Sequence, residues 1–405
     1  MKKHKLLITL RDIVVLVLAL SLLFQLQALA QVSIILLAVF LLVGSAVLFA
    51  KDNNIAIRIL TAIYVVLALP PIILFSRSID VLNVYIVIYS VALVLINLGS
   101  GLQRLIPSKG KGGKGDILKF VFCLAVAILY GIYGLSTPAL AVFAGLYALA
   151  ISTYSLSNGK LYSWLQFKGR RLVLNYPIIF DIGLPYLWKR ELEQDATYEA
   201  PMVRSDNELA KQYPEEKVIK IQIVTGDNPI DIVGHTALSY KGTTYTYGNH
   251  DVKTRKLFSM IGKGVLVATK AADMYKFNSR LKATTFEYDV LLADEDIPVL
   301  EKHMQELLEG AYEWQPDDAN HRKRYIGVVN RVTDSKLYHY DGGVYENYSL
   351  LGTNCAWIEN RAMDASDIPS IGLVSVPLPG TVLLNLERTY QQEKSQIINR
   401  TIYYY

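Results

Sequence analysis

The first 160 residues of the chain are dominated by long apolar stretches that are separated by short polar segments. Six of these stretches approach the length of a bilayer crossing, about 20 residues. They occupy residues 10–30, 32–50, 55–75, 79–98, 117–135 and 137–157. The pattern therefore predicts an α-helical membrane bundle of about six spans over residues 1–160.

Beyond residue 215 the sequence alternates apolar and polar residues, as half-buried strands do. Residues 217–224 begin this pattern, and Lys241-Gly242 separates two further strands as a tight hairpin turn. Further strands are predicted at residues 264–269, 284–292, 371–376 and 381–386, with a helix over residues 294–310. The sequence thus predicts an α+β domain over residues 215–405.

Residues 161–214 join the two predicted domains. Within them, residues 172–188 are apolar but short, and they include Asn175, Pro177 and Asp181. This composition favours an interfacial or re-entrant segment over a further span, and the polar residues 189–214 are predicted to form a linker.

Basic residues alternate between the loops of the predicted bundle. They cluster before the first span, around residues 51–58, at residues 104–115 and at residues 160–171, whereas the intervening loops are almost uncharged. The positive-inside rule then places both ends of the bundle, and with them the α+β domain, on the cytoplasmic side of the cell membrane. The domain would face outward if residues 172–188 span the bilayer. The net charge of +5 is mild and indicates no nucleic-acid partner.

The chain has two cysteines, and they lie in different settings. Cys123 lies in an apolar run and is predicted to pack as a buried residue. Cys355 follows Thr353 and Asn354, either of which would cap a helix that begins at the thiol. Because a helix N-terminus lowers a thiol pKa, Cys355 is predicted to be a nucleophile, with Asn354 as cap or oxyanion donor. No cysteine and histidine cluster is present, so neither a metal nor a cofactor is predicted.

His235 is the predicted general base because it starts a strand upstream of the cysteine. If Lys241-Gly242 forms the turn, His235 lies opposite Gly248, and His250 lies diagonally beside it on the same face. His250 is therefore predicted to orient His235, as the third member of a thiol triad does. A different register would put Tyr247 or Asp251 in that role.

Four motifs of the domain follow one another in a recognisable order: Gly234-His-Thr-Ala-Leu238, Tyr245-Thr-Tyr-Gly-Asn-His-Asp251, Gly262-Lys-Gly264 and Thr353-Asn-Cys355. In this order they resemble the Lnb-type lipoprotein N-acyltransferase family. The resemblance covers roughly residues 215–370 and implies a circularly permuted, NlpC-like (papain-like) fold, with His235 as general base and Cys355 as nucleophile. The family has an aromatic residue where His250 stands, and its catalytic domain is expected outside the cytoplasmic membrane.

The resemblance and the predicted bundle together imply a membrane-embedded thiol acyltransferase. Its expected partners are a phospholipid acyl donor, a lipoprotein or lipid amine acceptor, and the bilayer itself. Two alternatives stay open: a membrane-anchored cysteine peptidase or amidase of the NlpC-like class, and a non-enzymatic membrane sensor with a degenerate thiol domain.

Overall fold

The computed structural model divides the chain into two compact units. It describes residues 2–51, 55–105, 114–158, 160–162, 166–167, 170–171, 173–177, 180–193, 200–227, 231–257, 260–316, 321, 323–350, 352–365, 378–392 and 395–405. The first unit comprises residues 1–98, 116–163 and 228–232. The second comprises residues 99–115, 164–227 and 233–405.

The first unit is helical. Its helices are α1 (Lys2–Leu23), α2 (Gln27–Lys51), α3 (Ile55–Ile73), α4 (Ser78–Leu105), α5 (Lys114–Tyr133) and α6 (Pro138–Leu156). Helix α1 packs against α2 and α6, and α2 packs against α3. At Gly145 of α6 an added Cβ would lie only 3.0 Å from the carbonyl oxygen of Ala19, so the glycine permits this close approach to α1. Helices α1 and α6 are also joined by a buried hydrogen bond that Ser155 donates to Asp12. The Asp12 carboxylate forms an ion pair with Arg11 as well.

Within the described residues, four helical segments are long enough and apolar enough to cross a membrane: Leu6–Leu23, Gln27–Ala46, Phe75–Leu98 and Pro138–Leu156. The membrane-type helical domain is thereby confirmed, but the prediction of six spans is too high. The other two predicted spans correspond to shorter apolar helices, Ile57–Ile73 and Lys119–Tyr133. Helix α3 includes Arg58 near its start and Pro70 and Pro71 near its end, and the sequence of α5 begins with Lys114, Asp116 and Lys119.

The second unit is built on an antiparallel sheet of nine strands in the order β10-β11-β8-β6-β5-β4-β9-β13-β3. Two small pairs, β1 with β2 and β7 with β12, lie outside this sheet. The strands are β1 (Gln166–Phe167), β2 (Arg170–Arg171), β3 (Met202–Ser205), β4 (Val218–Thr225), β5 (His235–Tyr240), β6 (Thr243–Gly248), β7 (Ile261–Lys263), β8 (Val265–Lys270), β9 (Thr284–Leu291), β10 (Ala311–Glu313), β11 (Lys336–Tyr340), β12 (Asn347–Ser349) and β13 (Ile397–Tyr404). The predicted hairpin is confirmed, because Tyr240 pairs with Thr243 across Lys241-Gly242.

Strand β4, in the interior of the sheet, shows that the sheet has two chemically different faces. Ile221 and Ile223 are fully buried on one face, whereas Gln222 on the other donates to Glu287 of β9. Paired residues of neighbouring strands share a face. We call the face of Ile221 and Ile223 the apolar face, and the face of Gln222 the polar face.

In the part of the second unit that the structure describes, six α-helices are bounded: α7 (Leu184–Glu193), α8 (Ala271–Arg280), α9 (Asp296–Leu308), α10 (Tyr325–Thr333), α11 (Ala356–Ala365) and α12 (Pro379–Tyr390). Helices α8 and α10 share a hydrophobic cluster with β8 and β11. Helix α11 packs against β5, α9 and α12. A sheet covered by helices confirms the predicted α+β class.

Four predictions about this unit need correction or fall on residues that the structure does not describe. Residues 381–386, predicted as a strand, lie in α12, where Pro379 starts a helix that is buried on nearly all sides. Residues 184–188 of the predicted interfacial segment begin α7, whose largely buried side chains pack on β4 and α12. The predicted linker contributes β3 to the sheet. The predicted strand at residues 371–376 lies outside the described residues.

The loop charges generate a prediction about membrane orientation. In a chain whose two native cysteines are replaced by serine, Lys211→Cys would report on the second unit, because the Lys211 side chain is 79% exposed. Ser136→Cys reports on an uncharged loop of the bundle and is the matched control. A membrane-impermeant maleimide applied to intact cells is expected to label Ser136→Cys alone, with Lys211→Cys labelled only after lysis. Labelling of Lys211→Cys in intact cells would place the second unit outside.

Candidate active site

Cys355 lies at the point where α11 meets β5. It immediately precedes α11, and it is buried, with 4% of its surface exposed. Hydrogen bonding from Thr236 and from the backbone of Ala356 lowers the pKa of the thiol and so favours a thiolate. The structure thus confirms a cysteine at the start of a helix and places it against the second residue of the strand that His235 begins.

The predicted lowering of the Cys355 pKa is wrong. Burial in the unit raises the pKa of the thiol, and this effect outweighs the N–H groups that lower it. The helix start stabilises a thiolate only in part, because the buried site excludes the water that would solvate the negative charge. Cys355 is therefore a protonated thiol at neutral pH unless another group takes its proton.

Glu359 is a second acid in the same site, and the sequence reasoning did not single it out. It lies one helical turn after Cys355, fully buried, and its Oε2 accepts a 2.8 Å hydrogen bond from Thr236 Oγ1. Burial first, and then the charge of Cys355, raise the pKa of Glu359 to about 8, while His235 acts in the opposite direction. The spacing of four residues was the available signal, because it places both side chains on one helix face.

His235 and Thr236 point to opposite sides of β5 because strand residues alternate. Thr236 pairs with Ile223 and therefore lies on the apolar face with Cys355 and Glu359. His235 pairs with Val224 on the polar face, where its Nε2 contacts Thr246 Oγ1. Thr236 of β5 therefore faces the thiol, whereas the His235 imidazole lies on the other side of the strand and contacts Thr246.

His250 lies beside His235, as the hairpin count predicted. Their ring centroids are 6.1 Å apart, and His250 stacks on Tyr325 at 4.8 Å. The absence of a side chain at Gly248 leaves the space that the His250 ring occupies, since a Cβ there would collide with it. However, His250 Nε2 is buried without a hydrogen-bond partner among the described residues. Burial, followed by the charge of His235, holds the His250 pKa well below its usual range, so the ring is neutral.

Two of the supporting candidates take part in structural contacts near the thiol. The Tyr247 hydroxyl donates to the carbonyl oxygen of Tyr345, and its ring packs 5.8 Å from that of Tyr348. Burial, and then the charge of Cys355, raise the pKa of Tyr348, which indicates that Tyr348 lies near the site. Asn354 Nδ2 donates to the carbonyl oxygen of Leu350 at 2.7 Å and so stabilises the turn before α11.

Asp251 contacts histidines other than His235. Its Oδ1 lies 2.9 Å from His321 Nε2, and its Oδ2 lies 3.6 Å from His339 Nε2. The second nitrogen of His339 contacts the carbonyl oxygen of Gly264, and burial lowers the His339 pKa. In the described part of the chain, no three His, Cys, Asp or Glu side chains form a group suited to holding a metal ion.

Comparison with known proteins returned no relative. No protein-family model, no curated protein sequence and no solved structure matches this chain.

The buried carboxyl of Glu359 generates a prediction about stability and pH. Its folded pKa of about 8 exceeds the value near 4.5 of an unperturbed glutamate. Between these two values the unfolded chain ionises Glu359 while the fold keeps it protonated, so the fold loses stability as the pH rises from about 4.5 to 8, at up to about 1.4 kcal/mol per pH unit. Glu359→Gln is expected to reduce the loss of thermal stability between pH 5 and pH 9, measured by unfolding in detergent. An equal loss in both proteins would contradict the raised pKa.

Proposed function

We propose that this protein is a membrane-bound thiol acyltransferase whose second unit is a permuted papain-like domain. Cys355 is the proposed nucleophile and His235 the proposed general acid and base. One observation carries this assignment: the charges of Cys355 and His235 both act on the buried carboxyl of Glu359. The thiol and the imidazole lie on opposite faces of β5, but both interact with the same carboxyl, in the chain order that the resemblance implies.

The apolar helices of the first unit support a lipid substrate. A thiol enzyme that takes an acyl chain from a phospholipid must work at a bilayer surface, and four helices suited to crossing the membrane keep it there. In the proposed reaction the Cys355 sulfur attacks the ester carbonyl of the phospholipid, and a thioester forms as the lysophospholipid alcohol leaves. The amine of a lipoprotein or lipid acceptor then displaces the sulfur to give an amide.

His235 has two tasks in this reaction. It gives a proton to the leaving alcohol in the first half and removes one from the attacking amine in the second half. Thr246, which contacts His235 Nε2, is the proposed orienting group instead of His250. The proposal thereby keeps the predicted nucleophile and base and changes the third member.

A second candidate is a non-enzymatic membrane sensor with a thiol domain. Burial of Cys355 and its raised pKa favour this alternative, because both reduce thiolate reactivity. A cysteine peptidase or amidase would use the same nucleophile, with water in place of the amine. The choice of acceptor therefore distinguishes the enzymatic alternatives.

The first test is acyl transfer by the purified full chain in mixed micelles. The donor is a phospholipid with a labelled acyl chain, and the acceptor is a diacylglyceryl peptide with a free amine. We expect labelled amide with the wild type and none with Cys355→Ala, because no thioester can form. Cys123→Ala is the matched control and is expected to retain activity, as is a sample treated with a chelator. Full activity of Cys355→Ala would remove the thiol mechanism, and release of free fatty acid instead of amide would favour the hydrolase.

The histidines generate a second prediction. His235→Ala is expected to lower kcat at least about 100-fold, since it removes proton transfer. Thr246→Val is expected to lower kcat by about 10- to 100-fold, because an orienting hydrogen bond is lost. His250→Phe preserves the stacking on Tyr325 and should cost less than either. A larger loss in His250→Phe than in Thr246→Val would restore His250 as the orienting group.

A further inference from the structure

We propose that Cys355 and Glu359 share one proton through the hydroxyl of Thr236, so that Glu359 takes the thiol proton whenever Cys355 acts as a nucleophile. The inference rests on the proposed function for its catalytic meaning, whereas the shared proton itself is a property of the site.

The contacts of Thr236 carry the argument. Its Oγ1 donates to Glu359 Oε2 at 2.8 Å, and hydrogen bonding from the same side chain lowers the pKa of the Cys355 thiol, one helical turn before Glu359. A hydroxyl has one proton to donate and lone pairs to accept. While Thr236 donates to Glu359, it can therefore only accept from the thiol. Reversing both bonds moves one proton from sulfur to the carboxyl.

Burial limits the two acids to at most one negative charge between them, and this charge forms as the pH approaches the Glu359 pKa of about 8. Glu359 is fully buried, and Cys355 is nearly so. Two negative charges placed together without water repel strongly, so such a pair ionises in two separated steps. Transfer of the proton within the pair leaves the total charge unchanged and avoids that repulsion.

The surrounding elements present few other titratable groups to Glu359. His235 on β5 and Tyr345 ahead of β12 interact with it electrostatically. On α9, which packs against α11, Glu306 pairs with Arg361 at 3.2 Å. On α12, the carboxylate of Glu387 is bound by Arg400. Cys355 is thus the acid that Thr236 links directly to Glu359.

Protons move in both halves of the proposed reaction. The S–H proton passes to Thr236 Oγ1 while the Thr236 O–H proton passes to the Glu359 carboxylate. The sulfur then bonds the acyl carbon, and the ester C–O bond breaks with the leaving alcohol protonated by His235. When the amine displaces the sulfur, Glu359 returns its proton through Thr236 and the thiol is restored.

The test measures the reactivity of Cys355 towards iodoacetamide from pH 6 to 11. It uses the full chain in detergent with Cys123→Ser, and the modified peptide is quantified by mass spectrometry. We expect the wild-type rate to rise in two steps, the first near pH 8, because the pair loses its protons separately. Glu359→Gln should show a single step at least one pH unit below the upper wild-type step, because no carboxylate then opposes the thiolate. At a fixed alkaline pH this shift makes alkylation about tenfold faster. The same single-step profile in both proteins would overturn the shared proton.

Two further measurements complete the test. The carboxyl infrared band of Glu359, assigned by its loss in Glu359→Gln, should titrate over a different pH range in Cys355→Ala than in the wild type; an unchanged titration would refute the coupling. In the acyl-transfer assay, Thr236→Val should lower kcat by about 100-fold while Thr236→Ser, which retains the hydroxyl, stays near the wild type. Equal activity of these two variants would overturn the role of the hydroxyl. If no variant transfers acyl groups, the proposed function fails, and the alkylation profiles still decide whether the proton is shared.

Discussion

The contact between Thr236 and the start of α11 is the interaction on which the candidate site depends. It holds the helix against β5, places the Cys355 sulfur on a backbone N–H of the strand, and gives the buried Glu359 a hydrogen-bond partner. A buried carboxyl without such a partner would cost several kcal/mol. The same hydroxyl therefore supports both the packing of the helix and the chemistry of the thiol.

The site combines two opposing electrostatic effects. The helix start and the surrounding N–H groups favour a negative sulfur, whereas burial disfavours any charge, and burial prevails. Glu359, a neighbouring acid that burial also makes hard to ionise, can accept the proton of Cys355. This transfer forms the thiolate without creating a second negative charge. The neutral His250 and the tyrosines around Tyr247 keep the surroundings apolar.

Local sequence patterns predicted β4, β5, β6, β8, β9 and the hairpin, because alternation and a Lys-Gly turn are short-range signals, but they did not predict β3, β10, β11 or β13. The alternation also placed His250 beside His235, a relation that depends only on counting across the turn. The strand prediction for residues 381–386 failed, because these residues belong to α12, which is buried on nearly all sides. An apolar run of this kind has no periodicity that distinguishes helix from strand. The pairing of β13 with β9 and β3 joins distant parts of the chain, so no local pattern announces it.

The site was harder to predict, because its decisive contacts join residues more than 100 positions apart. Cys355 and His235 were predicted from their residue types and their positions at element starts, but the thiol pKa depends on burial that only the fold creates. The most direct test of the account is mass spectrometry of the full chain after incubation with phospholipid and no acceptor. The account predicts one acyl group on the Cys355 peptide that hydroxylamine removes. Acyl transfer without any adduct on Cys355 would contradict it.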